Sequence, residues 1–198
     1  MIWRNDRTGE TDDGHKLVNI VVYGAGAIGG QIAVRLGAAG LNPTVVEPWS
    51  VQREAMQAKG LTVHAQSGEV EHAKPMTISP AELSGQVELV FLCVKSYDTP
   101  EAMRVLAPRL APAGLVVSMQ NSINEEWIAP VIGAERVMGG VILINGSFLE
   151  PGHVQASSSV SRATASRELP AVYVGEFASS LTSRAERVAD VLSHVWPS

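Results

Sequence analysis

Residues 17–29 read LVNIVVYGAGAIG, an apolar run that breaks into a glycine-rich turn. Valine, isoleucine and tyrosine suit the pleated surface of a sheet, so 17–23 is a predicted strand. Beyond the turn, Ile28, Ile32 and Leu36 recur at helical spacing as far as Gly40, which predicts a helix with one apolar face. Between them, Gly24-Ala25-Gly26-Ala27-Ile28-Gly29 forms a G-x-G-x-x-G that leaves a strand and opens a helix. In that setting Gly24 permits the tight turn, Gly26 lets a pyrophosphate approach the backbone, and Gly29 allows the helix to pack closely on the strand. The helix N-terminus adds free N–H donors and the positive end of a dipole. A second short strand over 43–47 (PTVVE) ends in Glu47, where an acid would accept hydrogen bonds from an adenosine ribose. The candidate cofactor-binding residues are therefore Gly24, Ala25, Gly26, Ala27, Ile28, Gly29 and Glu47. A packing turn beside a solvated glutamate is the plainer alternative, and it leaves the coincidence of strand, helix and acid unexplained.

The alternation continues outward. A helix over about 51–58 stops at Gly60, and 61–65 with 70–73 flank a Gln66-Ser67-Gly68-Glu69 turn as a small hairpin. The run 87–94 (VELVFLCV) is nearly all apolar, as a parallel strand covered on both faces requires, and should be central. Thr99-Pro100-Glu101 supplies an N-cap, a proline at the first helical position and a first-turn acid, and Pro108 limits that helix. Strands at 115–119 and 137–144 enclose a short helix at 125–132. After Pro151-Gly152 come two β-like segments, 153–160 and 171–177, and a final helix. Its apolar face is Leu181, Ala185, Val188, Leu192 and Val195. Strands alternating with helices imply right-handed crossovers: an α/β fold with a doubly wound, mostly parallel sheet and helices on both faces. Residues 1–16 are polar and aperiodic, and are expected to be a loose leader. Residues 17–198 are expected to form one dinucleotide-binding domain, with a β-rich extension and terminal helix from about 146.

Composition narrows the partners. The 198 residues are 45% hydrophobic, enough for a substantial core, and 15 Lys and Arg against 20 Asp and Glu leave a net charge of −5. No basic run offsets this, so neither nucleic acid nor an acidic membrane surface is an expected partner. No stretch approaches the roughly 18 apolar residues of a membrane-spanning helix, and the N-terminus lacks the apolar core of a secretion signal. A cytoplasmic location is expected. The single cysteine, Cys93, lies in an apolar run and reads as a buried, inert thiol; the five histidines show no ligand spacing, so no metal site is expected. No lysine follows a glycine as a P-loop requires, and none of the three tyrosines has a lysine four residues on. A methyltransferase could use a similar glycine loop and acid.

Two further segments decide between these chemistries. Cys93-Val94-Lys95-Ser96-Tyr97-Asp98-Thr99 puts a lysine just beyond the central strand, and Ser118-Met119-Gln120-Asn121-Ser122-Ile123-Asn124-Glu125-Glu126 puts an asparagine beyond the next. Together with GAGAIG they resemble the ketopantoate reductase (2-dehydropantoate 2-reductase) family, with its V-K-A/S-Y/W and Q-N-G-containing motifs. Arg136-Val137-Met138-Gly139-Gly140-Val141 and Gly152-His153-Val154 continue the resemblance, which spans about 17–196. It implies a Rossmann-type domain followed by a helical domain. The implied reaction is reduction of ketopantoate, a 2-oxoacid, to pantoate with NADPH in pantothenate biosynthesis. Lys95 and Asn121 are then both cofactor-binding and catalytic candidates, near the nicotinamide ribose and the substrate. A cation and an amide there could orient a carboxylate or carbonyl oxygen.

The sequence departs from the family in two ways. Position 122 is Ser where the family has Gly, which narrows the approach to the site. The helical domain, with the family's general-acid lysine, is expected to begin where this chain stops. Two readings follow: an NAD(P)H-dependent reductase present as its cofactor domain, or a non-catalytic dinucleotide-binding module. On the first, the chain alone is expected to bind cofactor but turn over ketopantoate negligibly. The apolar face near 181–196 would meet either a second copy or the helical domain. Glu47 and Asp98 place anions where a 2′-phosphate would lie, with no arginine near before Arg53. NAD is therefore expected to bind at least as well as NADP.

Overall fold

The computed structural model describes residues 19–156, 171–177 and 182–196. The leader 1–16, Leu17, Val18, the second half of segment 153–160, the stretch 161–170 and Leu181 lie outside the described residues. Strand β1 (Ile20–Tyr23) feeds the glycine turn and helix α1 (Ala27–Ala38), followed by β2 (Thr44–Val46) and α2 (Ser50–Lys59). The predicted hairpin is β3 (Leu61–Ala65) with β4 (Val70–Ala73), paired antiparallel. Next come β5 (Thr77–Ile78), β6 (Val87–Leu92), α3 (Thr99–Leu106), β7 (Leu110–Ser118), α4 (Glu125–Ile132) and β8 (Val137–Ile142). The last elements are β9 (Gly146–Glu150), β10 (His153–Ala156), β11 (Val172–Glu176) and α5 (Ser183–Ser193).

The main sheet has seven strands in the order β11-β8-β7-β6-β1-β2-β5. All its pairings are parallel except β11 with β8. Strand β6 is the middle one, as its apolar run requires: Leu89 and Phe91 enter the core on one face, Val90 and Leu92 the core on the other. Helices α3 and α4 cover the second face through Met103, Leu106, Ile128 and Ile132.

Three expectations are corrected. Residues 146–150 form a strand the sequence reading missed, and β4-β3-β10-β9 assemble into a separate four-stranded sheet. Helix α1 lies against it: a Cβ on Gly30 would sit 3.2 Å from Val154 and 3.3 Å from Leu61, and Arg35 pairs with Glu71 at 2.7 Å. Second, Asp98 rather than Thr99 takes the N-cap position of α3, without a side-chain capping bond, and Pro100 falls one position later; the Thr99 hydroxyl is turned instead to Gln120, accepting from its Nε2 at 2.8 Å. Third, the apolar face of α5 is not a free surface. Ala185, Val188, Leu192, Val195 and Trp196 are all buried in the chain's own core, beside Ala171, Val172 and Val174. A bidentate pair holds this helix in place, with Arg184 Nη2 2.8 Å from Glu176 Oε2 and Arg184 Nε 3.1 Å from Glu176 Oε1.

Candidate functional site

The glycine loop leaves β1 with Gly24 at φ +92°, its N–H donating to Val46 O at 2.8 Å. Only glycine tolerates that position, since a Cβ would lie 2.8 Å from Val94 Cγ1 as well. Gly29 is tighter still: a Cβ would fall 1.9 Å from Gly24 O and 2.9 Å from Cys93 Cβ. At Gly26 the opposite holds, because its Cβ position has nothing within 4 Å. Gly26 caps α1, and among the described residues the N–H groups of Ala27, Ile28 and Gly29 have no partner, the helical ladder beginning where Gly30 donates to Gly26 O. An open cradle above unpartnered helix donors fits a pyrophosphate.

Glu47 is buried and bound to this loop. Its Oε2 accepts the Ala25 N–H at 2.7 Å and its Oε1 the Trp49 N–H at 2.9 Å. Burial pushes its carboxyl above the usual carboxylate range, against the opposing pull of the two N–H donors and the Arg53 guanidinium. Arg53, the first arginine after Glu47 in the sequence, turns back so that Nη1 donates to Glu47 O at 3.0 Å. Ala25 has no free polar group: its N–H serves Glu47 and its carbonyl accepts from Gln52 Nε2 at 2.9 Å.

At the ends of β6 and β7 two loops are clipped together. Gln120 Nε2 donates to Val94 O at 2.8 Å, and Ser96 Oγ to Asn121 O at 3.4 Å. Lys95 and Asn121, both exposed, thus stand on neighbouring loops. Gln120 is a site residue to which sequence reasoning gave no role; its 9% exposure and three polar partners mark it as the rivet between these strand ends. Glu125 does begin α4 as predicted, but it is buried, and a Cβ on Gly139 would sit 3.1 Å from its Oε1. An open pocket of about 520 Å³ continues the row past Asn121, lined by Ser122, Glu125, Gly139, Tyr173 and Phe177. Cys93 packs beneath Gly29, and burial pushes its thiol far above the ordinary range. Among the described residues, no group of three His, Cys, Asp or Glu could hold a metal ion, and no helix is long and apolar enough to cross a membrane.

Glu47, the glycine loop, Lys95 and Asn121 therefore follow one another along the carboxyl edge of β2, β1, β6 and β7. The family model for ketopantoate reductase PanE/ApbA matches residues 20–166, which takes in every one of these positions. The chain belongs to the ketopantoate reductase family. A 2-dehydropantoate 2-reductase of Mesorhizobium japonicum is 34% identical over 106 residues, 54% of this chain and 32% of that protein. The crystal structure of 2-dehydropantoate 2-reductase from Geobacter metallireducens superimposes with a TM-score of 0.75 at 25% identity, over 90% of this chain and 56% of that one. A D-mandelate dehydrogenase solved with NADH and anilino(oxo)acetate shares the fold, with a TM-score of 0.76 at 20% identity, over 90% of this chain and 54% of that one. The chain thus spans about a third of that curated relative and a little over half of the two solved ones.

Against the ketopantoate reductase motif, the departure at position 122 acquires a physical meaning. Ser122 has φ +75°, the left-handed region where glycine is at ease and an L side chain is strained. Ser122→Gly is expected to raise unfolding stability by about 1 kcal/mol, and Ser122→Val to lower it. Denaturant midpoints of the three proteins check this; no gain for the glycine variant would mean that Ser122 carries no strain.

Proposed function

We propose that residues 17–198 are the dinucleotide-binding domain of a cytoplasmic, NAD(P)H-dependent reductase of the 2-dehydropantoate 2-reductase type. Its substrate is 2-dehydropantoate or a related 2-oxoacid. The observation that carries this reading is the unbroken row on the carboxyl edge, from the buried acid through the glycine cradle to a lysine and an asparagine. Ligands of open α/β sheets bind outside that edge. The nicotinamide dinucleotide, when bound, supplies the hydride.

In this reading each residue of the row has its own task. The Ala27 and Ile28 N–H groups hold the pyrophosphate, and Ala25, its N–H spent on Glu47, gives the loop its shape without donating to the ligand. Glu47 accepts ribose hydroxyls on the lone pairs its two backbone donors leave over. Asn121 orients the 2-oxoacid, and the Lys95 ammonium faces the carbonyl oxygen as negative charge builds there. Such a charge, already in place before the reaction, is worth about 10²–10³ in rate where it has been removed in comparable sites.

The test has two parts. NADH and NADPH are titrated into the chain by fluorescence, and cofactor oxidation with 2-dehydropantoate and other 2-oxoacids is followed for the chain alone, where turnover is expected to be negligible, and for the chain joined to the helical domain of a ketopantoate reductase. In the joined protein Lys95→Ala is expected to lower kcat by about 100-fold with dinucleotide affinity nearly kept, and Asn121→Ala to raise KM for the oxoacid. Tight dinucleotide binding with no turnover of any 2-oxoacid by the joined protein would assign a binding module instead.

A further inference from the structure

Two consecutive peptide planes of the glycine loop are each gripped by a side chain from outside the loop. Glu47 holds the first, through the Ala25 N–H at 2.7 Å. Gln52 holds the second, through the Ala25 carbonyl at 2.9 Å. Because a peptide is planar and trans, fixing the Ala25 carbonyl also fixes the Gly26 N–H, which points the opposite way. Gln52 is only 1% exposed, and its other end is occupied too: Oε1 accepts the Gly152 N–H at 2.8 Å. Gly152 makes the turn between β9 and β10 at φ +84°, so the partner 100 residues away belongs to the second sheet. A buried amide with both ends bonded tolerates little rotation, since either flip would leave two buried polar groups unpaired.

We propose that Gln52 is a positioning residue for the dinucleotide. It sets the Ala25–Gly26 peptide in the orientation from which the start of α1 meets the pyrophosphate, and it takes its own bearing from the second sheet through Gly152. The inference rests on the dinucleotide reading above and adds a task for the second sheet: to fix the loop's shape. Gln52 touches no reacting atom, and its effect falls on affinity for the phosphate-bearing half of the ligand.

The experiment measures dissociation constants of NADH and ADP for wild type, Gln52→Met and Gln52→Glu between about pH 5 and pH 8. Gln52→Met keeps the length but loses both bonds, and is expected to bind both ligands about tenfold more weakly at every pH. Gln52→Glu keeps the acceptor for Gly152 and, when ionised, faces the Ala25 carbonyl with a second acceptor. It should be as weak as Gln52→Met at high pH and regain affinity as pH falls, when its carboxyl O–H can donate as the amide did. Expressing each value relative to wild type removes the titration of Glu47, the carboxyl on the other side of Ala25. A merely structural glutamine would lower the melting temperature of both variants without that pH-dependent recovery. If Gln52→Met does not fold, the pH profile of Gln52→Glu carries the test. Wild type that binds while the variants bind equally well, or a Gln52→Glu profile parallel to wild type, overturns the positioning role alone. Wild type that binds neither ligand overturns the dinucleotide reading, and the positioning role with it.

Discussion

Gly29→Ala is expected to unfold the chain, whereas Gly26→Val, a larger change three residues earlier, is expected to fold normally and lose the dinucleotide. At Gly29 the added carbon would lie 1.9 Å from the Gly24 carbonyl oxygen, a backbone atom of the same loop that cannot move without displacing β1 or α1. Overpacking against a yielding side chain typically costs about 1–3 kcal/mol. Against backbone the cost should exceed about 4 kcal/mol, a large share of the roughly 5–15 kcal/mol that holds a domain folded. At Gly26 no atom lies within 4 Å of the new carbon, and the backbone, at φ −75° and ψ −156°, is extended and outside the left-handed region. The valine then occupies only the space the pyrophosphate needs. Circular dichroism should show wild-type melting for Gly26→Val and little or no cooperative transition for Gly29→Ala. Fluorescence titration should show NADH affinity reduced by about 100-fold in Gly26→Val, equivalent to about 2.7 kcal/mol. Equal affinity for wild type and Gly26→Val would remove the glycine loop as the pyrophosphate site.

The same contrast separates what the sequence discloses from what it hides. Gly24, Gly26 and Gly29 could each be given a different reason from strand–turn–helix context alone, because those reasons are local. The central position of β6 was legible too, since a run without polar alternation must be covered on both faces. The second sheet was not. Strands β3 and β10 pair residues about 90 positions apart, as in His153 with Thr62, and such pairing leaves no local trace. Strand β9 is an edge whose Phe148 and Leu149 are exposed, so it shows no inward and outward alternation. Gln52 carried a faint signal: it lies one turn before Met56 on the inward face of α2, where a polar residue needs a partner. The return of Arg53 to Glu47 is not legible either, since its distance along the chain says nothing of the turn that brings it back. The apolar stripe of α5 was read correctly as a stripe. Whether a stripe is covered by its own sheet or by a partner is a tertiary fact, and here Val195 and Trp196 are closed in by the chain itself.

Cofactor preference is expected to turn on Glu47 and Arg53 acting in opposition. A buried carboxylate at the end of β2 repels a 2′-phosphate, and the repulsion grows as water is excluded. Wild type should therefore bind NADH at least as tightly as NADPH near neutral pH. Glu47→Ser removes the charge while leaving Arg53 beside the residue 47 carbonyl, and should move the NADPH-to-NADH affinity ratio upward by about tenfold, or about 1.4 kcal/mol. Adding Arg53→Ala should cancel most of that gain. The raised pKa of Glu47 gives a further check with a definite sign. Because the folded state holds this proton more tightly than the unfolded one, the associated stability is fully present below the ordinary carboxylate pKa. It is lost as pH rises through the elevated folded value. As pH falls through that same value, the carboxyl becomes neutral and the ratio of NADPH to NADH affinity should rise in wild type but stay flat in Glu47→Ser. The 2′-phosphate itself gains a proton near pH 6, with a second pKa of about 6 for phosphate monoesters, so the two proteins must be compared at matched pH. A tenfold wild-type preference for NADPH near neutral pH, or parallel profiles for the two proteins, would show that Arg53 rather than Glu47 governs this corner of the site.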